Sequence, residues 1–119
     1  MNQELFAKIA KIIDDKPHEF AMDSWENACN TTRCVAGWAV HLEIGESLYD
    51  SYGGLTGAVR ALARRLDVPA DVQWIAVELL DLDPILADEL FFTDNDTARQ
   101  AVDLFANGYV DEALQVLEV

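Results

Sequence analysis

The sequence predicts an all-α fold, a single compact domain of six or seven short helices around a central apolar helix at about residues 32–43. Nearly every apolar pattern in the chain recurs every three to four residues, which is the helical period. No segment that alternates apolar and polar residues is long enough to indicate a sheet. The 119 residues, 51% of them hydrophobic, suit one domain (residues 1–119) with one core.

The first helix is predicted from five apolar residues on one face, with Asn2 as its N-cap. Those residues are Leu5, Phe6, Ile9, Ile12 and Ile13. Pro17 ends this region, and residues 14–27 are expected to form a loop or a short irregular helical turn. Trp25 is expected to anchor the loop to the core, because a large aromatic side chain in a polar segment tends to be buried.

The central helix is predicted to be capped by Thr31 or Thr32 and to end at Gly45. Its interior, CVAGWAVHL, is apolar on nearly all sides, which indicates neighbours in several directions. Ala36 and Gly37 are expected to let another helix approach closely, because Gly37 costs roughly 1 kcal/mol of helix propensity relative to alanine and so needs a packing reason. The residues expected to be buried are Val35, Trp38, Ala39 and Leu42, together with Leu79 and Leu80 of a later helix.

Further helices are predicted beyond the break at Gly53-Gly54. The fourth helix should begin near Pro69, the fifth at Asp83-Pro84, the sixth at about Asp96 and the seventh at Val110. Gly108 is the expected C-terminal cap of the sixth. Residues expected to face the core include Val59, Leu62, Val72, Trp74, Ile75, Ile85, Leu86, Leu90, Phe91, Ala98, Ala101, Val102, Phe105, Val110, Ala113, Leu114 and Leu117.

The charge distribution favours a protein partner over nucleic acid. The chain has 22 acidic and 8 basic residues, and residues 66–119 carry thirteen of the acids with Arg99 as their one base. Direct nucleic-acid binding is not expected, because phosphate contacts require lysine and arginine. The acidic charge is consistent with three functions: binding of a basic protein, mimicry of a nucleic acid, or solubility alone. The predicted partner-binding residues are Glu78, Asp81, Asp88, Glu89, Asp103 and Asp111.

The sequence also bears on the cellular compartment. It has no run of 18 or more apolar residues, so no membrane span is predicted. Its first residues, MNQELFAKIAKIIDD, lack the features of a secretory signal. We therefore expect a cytoplasmic protein without a membrane partner, in which cysteines remain reduced.

Cys29 and Cys34 are the two cysteines of the chain, and both are predicted to be reduced and mainly structural. Cys34 should lie in the first helical turn, where free N–H groups lower the pKa of a thiol. A redox pair is therefore one alternative. A zinc site completed by His18 and His41 is another, although the spacing matches no usual zinc motif.

No catalytic set is identifiable, so the chain is predicted to be no enzyme and to use no cofactor. It shows no Ser-His-Asp pattern, no phosphate-binding glycine loop and no paired-carboxylate motif. The stretch Asp94-Asn95-Asp96 resembles the start of a calcium loop, but Arg99 stands where that loop needs glycine. The prediction that remains is a non-catalytic protein-interaction module.

The segment CNTTRCVAGWA, residues 29–39, resembles a C-G-T-x-x-C-x-A-G-W-A-like element of small actinobacterial and actinobacteriophage proteins of unknown function. In those proteins the element follows a loop with a tryptophan, here Trp25. A later L-L-G-L string with A-x-x-L-F-like residues is matched by Leu79, Leu80, Leu82, Ala87, Leu90 and Phe91. Asn30 and Asp81 replace glycines of the pattern. The resemblance implies a helical fold and a phage or phage-derived context. Together with the charge distribution and the lack of a catalytic set, this context predicts an accessory protein that binds a host protein in the host cytoplasm. It implies no activity.

Overall fold

Seven α-helices and one short 3₁₀ helix form the regular structure of residues 1–27 and 31–119, the part of the chain that the computed structural model describes. The helices are α1 (Gln3–Asp15), the 3₁₀ helix (Pro17–Glu19), α2 (Val35–Ile44), α3 (Gly57–Leu66), α4 (Val72–Leu80), α5 (Pro84–Phe91), α6 (Asn95–Ala106) and α7 (Val110–Val116). The described residues contain two isolated β-bridges and no strand, so the all-α prediction is confirmed.

Helix α2 is the central element. It packs against α1, α3, α4 and α5, and each of its residues from Val35 to Val40 is buried. On the far side of α1, α6 packs along that helix and α7 packs on α6. The rings of Phe6 and Phe105 join α1 to α6 with their centroids 4.9 Å apart. The predicted central apolar helix is thus confirmed.

The N-terminus of α2 differs from the prediction. Its N-cap is Cys34, whose Sγ accepts the N–H of Gly37 at 3.4 Å. Thr31 and Thr32 do not cap the helix, because both donate their N–H groups to Oδ1 of Asn27 in a turn before it, at 2.8 and 3.1 Å. Cys34 therefore precedes the first turn of the helix rather than lying within it.

Aspartates cap the later helices. Asp71 caps α4, so this helix begins after Pro69 and not at it, and Asp83 caps α5 as predicted. Helix α6 is capped by Asp94, whose carboxylate accepts the N–H of Thr97 at 2.8 Å, and Asp96 lies in the first turn. A carboxylate at each of these positions satisfies free N–H groups and complements the helix dipole.

Left-handed residues end several helices. Gly45 ends α2 at φ 75°, as predicted. The C-cap of α6 is Asn107, and Gly108, the predicted cap, follows it at φ 82°. Asp81 ends α4 at φ 52°, a left-handed conformation that favours glycine and that aspartate adopts more readily than most other residues.

The predicted core is mostly confirmed, with exceptions at the edges of the helices. Val35, Trp38, Ala39 and Leu80 are buried, and Leu79 is half-buried. Four residues that were expected to be buried are exposed: Leu42, Trp74, Ile85 and Val110. Leu42 lies in the last turn of α2, which emerges from the core, and Trp74 lies on the opposite side of α4 from Val72, since two helical residues span about 200°.

None of the described helices is long and apolar enough to cross a membrane.

Gly37 packs directly against the backbone of Trp25, and this contact generates a prediction. A Cβ atom at Gly37 would overlap the carbonyl oxygen of Trp25 and lie 2.8 Å from its carbonyl carbon. We expect Gly37→Ala to lower the free energy of unfolding by roughly 3 kcal/mol, because the clash involves backbone and outweighs the gain in helix propensity. Urea denaturation measures the change.

Gly57 provides the matched control, because a Cβ atom there would meet nothing within 4 Å. Gly57→Ala at the start of α3 should raise the free energy of unfolding by about 0.5 kcal/mol. If the two variants are equally stable, the contact between Gly37 and Trp25 is not a constraint on the fold.

Candidate functional site

The loop between α1 and α2 folds back on itself and delivers Arg33 and Cys34 to the start of α2. Arg33 donates its N–H to the carbonyl of Glu19, and the N–H of Ala21 donates to the carbonyl of Arg33, both at 3.1 Å. The N–H of Cys34 donates to the carbonyl of Ser24 at 3.1 Å. These backbone bonds hold the two sides of the loop together without a sheet.

A buried ion pair joins the loop to its neighbours. Arg33 Nε donates to Glu26 Oε1 at 2.8 Å, and the two residues are only 4% and 7% exposed. The Glu26 carboxylate also accepts the N–H of Leu48 at 3.1 Å and the N–H of Tyr49 at 3.4 Å. The guanidinium carbon of Arg33 lies 4.8 Å from the ring centroid of Trp38. The pair therefore ties together the loop, α2 and the segment that follows α2.

The thiol of Cys34 is buried and protonated at neutral pH. Burial raises the pKa of Cys34 from its ordinary value of 9.0 to about 11, and the negative charge of Asp23 adds to the rise. The N–H groups of Gly37 and Ala36 act in the opposite direction but are outweighed. The expectation that the helix start lowers the pKa of this thiol is therefore wrong, because desolvation dominates.

The two histidines of the predicted zinc site do not form a metal-binding group with Cys34 in the described part of the chain. Cys29 lies outside the described residues. His18 is exposed on the 3₁₀ helix, while His41 Nδ1 lies 2.7 Å from the carbonyl oxygen of Glu46. Within residues 1–27 and 31–119, no three His, Cys, Asp or Glu side chains are grouped so that they could hold a metal ion.

A cleft of about 450 Å³ opens beside the ion pair, and we call it the Trp25 cleft. Its lining comprises Met22, Asp23, Ser24, Trp25, Glu26, Cys34, Tyr49, Phe91 and Phe92. The ring of Trp25 contacts Phe91 and Phe92 edge to face, with centroids 6.5 and 5.9 Å away and interplanar angles of 85° and 70°. Trp25 thus anchors the loop, as predicted, and it is half-buried rather than enclosed.

Phe92 gives the cleft an exposed aromatic edge. Phe91 is buried, whereas Phe92 is 65% exposed at the C-terminal end of α5. Tyr49 and Met22 are half-buried. Burial raises the pKa of Tyr49, and the negative charges of Asp71 and Glu26 raise it further. The cleft is therefore aromatic, and its lining includes the carboxylates of Asp23 and Glu26.

A second, more open cleft of about 540 Å³ adjoins the first, and we call it the Asp94 cleft. It is lined by Met22, Asp23, Thr93, Asp94, Asn95 and Asp96, so the two clefts share Met22 and Asp23. The N–H of Met22 donates to Oδ1 of Asn95 at 2.7 Å and joins the loop to α6. Hydrogen bonds from Thr97 lower the pKa of Asp94, so its carboxylate is ionised at neutral pH.

All six predicted partner-binding acids are exposed, and none of them lines either cleft. They are Glu78, Asp81, Asp88, Glu89, Asp103 and Asp111. Asp81 lies 2.9 Å from the amino nitrogen of Met1, and Asp88 accepts a hydrogen bond from Gln73 Nε2 at 2.8 Å. Their role in partner binding stays a prediction.

The sequence reasoning missed the ion pair and most of the cleft. Glu26 and Arg33 look like ordinary surface charges in a polar loop. The doubled Phe91-Phe92 was the available signal, because neighbouring residues at a helix end point about 100° apart and one of two aromatic side chains can then face away from the core.

The chain was compared with protein families, curated proteins and solved structures, and none of them matches it.

The ion pair generates the first prediction from this site. Glu26→Gln keeps the shape of the side chain but leaves the Arg33 charge buried without its carboxylate, so we expect a loss of about 3–5 kcal/mol in the free energy of unfolding. Glu43→Gln is the control, because it breaks the exposed ion pair in which Arg65 lies 3.2 Å from Glu43. That change should cost at most about 1 kcal/mol. Equal urea midpoints for the two variants would contradict the structural role of the buried pair.

The raised pKa of Cys34 predicts a pH dependence of stability. Above pH 9 the unfolded chain releases the thiol proton before the folded chain does, since the folded pKa is about 11. The free energy of unfolding should therefore fall between pH 9 and pH 11, by up to about 1.4 kcal/mol per unit from this group. Cys34→Ser keeps an acceptor for the Gly37 N–H but does not titrate in this range. Urea unfolding at several pH values should give a shallower fall for this variant, and an identical slope would refute the assignment.

Proposed function

We propose that the chain is a non-catalytic protein-interaction module that docks a basic protein at the Trp25 cleft. The observation that carries the proposal is Phe92, a large aromatic side chain left 65% exposed beside the half-buried Trp25. An exposed aromatic patch bordered by charge is typical of interaction sites, where aromatic residues contribute most of the binding energy.

The surroundings of the cleft support a firm docking surface. The ion pair between Glu26 and Arg33 and the contact between Gly37 and the Trp25 backbone hold the cleft wall on α2. A wall that is already ordered loses little conformational freedom when a partner binds, so more of the contact energy appears as affinity.

The charge of the protein supports a basic partner. Asp23, Asp94 and Asp96 line the adjoining Asp94 cleft, and the chain carries a net charge of −14. Such a field attracts a basic partner and accelerates its encounter. In this proposal the acids of residues 78–112 contribute long-range attraction, whereas the Trp25 cleft makes the contact. The resemblance to actinobacteriophage proteins extends the proposal to a host protein, met in the host cytoplasm.

The alternative of a nucleic-acid mimic requires contact through carboxylates alone. A mimic presents its acids at the spacing of phosphates and does not need an aromatic cleft. The two proposals differ in which substitution abolishes binding, and this difference can be tested directly.

Phe92→Ala should weaken binding of a captured partner about tenfold or more, because it removes the exposed aromatic contact. Ile85→Ala is the matched control, since Ile85 is 71% exposed on the same helix but does not line the cleft. The measurement is affinity capture from host lysate, followed by calorimetry with the identified partner.

Two outcomes would overturn the proposal. In one, Phe92→Ala and Ile85→Ala bind the partner equally well. In the other, Asp103→Asn or Glu89→Gln abolishes binding while Phe92→Ala leaves it intact, which would favour contact through the acidic surface. Urea unfolding of each variant separates loss of binding from loss of fold.

A further inference from the structure

The aromatic and anionic lining of the Trp25 cleft suits a positively charged group better than a neutral one. We propose that the cleft binds an organic cation, the ammonium or guanidinium group of a lysine or arginine side chain of the partner. The inference rests on the proposed function, because it names the group that the docked protein would insert.

The aromatic side chains provide the first argument. Four of the nine lining residues are aromatic: Trp25, Tyr49, Phe91 and Phe92. Phe91 and Phe92 stand at 85° and 70° to the ring of Trp25, so the rings form steeply inclined walls and not a stack. Aromatic rings attract cations through their quadrupoles, and tryptophan does so most strongly.

The charges provide the second argument. Two carboxylates, Asp23 and Glu26, line the cleft, and its lining among the described residues includes no lysine or arginine. Arg33 neutralises Glu26 beneath the surface, whereas Asp23 is exposed. Asp23, the exposed carboxylate of the lining, is therefore the negative charge that an inserted cation would meet.

The size and shape of the cleft provide the third argument. A volume of about 450 Å³ holds the end of a long side chain with room to spare. Lysine and arginine carry apolar stems, which can pack on Met22 and Phe92 while the charged end approaches Asp23. The neighbouring Asp94 cleft would favour further basic residues beside the inserted one.

The test uses the isolated protein and two probes of the same shape, so it needs no partner. Choline carries a quaternary ammonium group, and 3,3-dimethylbutan-1-ol has a neutral carbon in its place. We expect choline to bind roughly tenfold more tightly, because only the cation gains from the rings and the carboxylate. NMR titration of the Trp25 indole N–H signal measures both affinities and places the probe in the cleft.

Asp23→Asn should lower the affinity for choline several-fold and leave that for the neutral alcohol unchanged. Asp14→Asn makes the same change of charge at an exposed position of α1 that does not line the cleft, and it should alter neither affinity. Trp25→Leu keeps an apolar side chain and should abolish the preference for choline. If Trp25→Leu does not fold, the two aspartate variants decide the question, because both positions are exposed.

Three results would overturn the inference: equal binding of the two probes, tighter binding of the alcohol, or no shift of the Trp25 signal with either probe. The proposed function would survive any of them if Phe92→Ala still abolished partner binding. Conversely, a clear preference for choline together with a partner indifferent to Phe92→Ala would refute the proposed function and leave the cation site standing.

Discussion

The buried pair of Glu26 and Arg33 is the interaction on which the arrangement around α2 depends. Removing two charges from water costs several kcal/mol per ion, and their attraction offsets that cost only when the remaining hydrogen-bonding groups are satisfied. Glu26 meets this condition through the N–H groups of Leu48 and Tyr49, and Arg33 lies over the ring of Trp38. The pair thus adds little to the net free energy of unfolding, and its main effect is to fix the arrangement of the segments around α2. In the described part of the chain, no sheet joins the loop, α2 and the segment that follows α2. The pairing of Glu26 with Arg33 therefore fixes how these three segments meet.

The packing of the loop on α2 also determines the shape of the surface at Trp25. Its backbone carbonyl fills the space where Gly37 lacks a side chain, and its ring meets Phe91 and Phe92 at the cleft. The backbone contact and the neighbouring rings of Phe91 and Phe92 together place the Trp25 side chain. The half-buried aromatic wall is therefore a consequence of how the loop packs on α2. The close approach predicted at Gly37 is made by the loop carbonyl of Trp25 and not by another helix, so this approach and the predicted anchoring role of Trp25 are two sides of one contact.

The sequence predicted the helices better than the faces they bury. Amphipathic helices such as α1 and α6 show a clear apolar stripe, and their buried residues were identified correctly. In α2 and α4, where nearly every residue is apolar, periodicity cannot show which side faces the core, so Leu42 and Trp74 were misplaced. The N-termini of α2 and α6 were misplaced by one to three residues, because several polar residues compete for each cap, whereas Asn2, Asp83 and Gly45 were placed correctly. The cleft could not be predicted, since it joins residues of a loop, a turn and α5 that only the tertiary fold brings together.

The electrostatics of the cleft bear on both the thiol and the proposed ligand. Burial is the main reason why Cys34 stays protonated, and the charge of Asp23 acts in the same direction. A reactive thiolate at this position would need a positive potential to stabilise it, as would any other anion. The carboxylate of Asp23 produces the opposite, while that of Glu26 is paired with Arg33. Asp23 therefore opposes ionisation of the Cys34 thiol, and the same charge would attract the cation that we propose for the cleft.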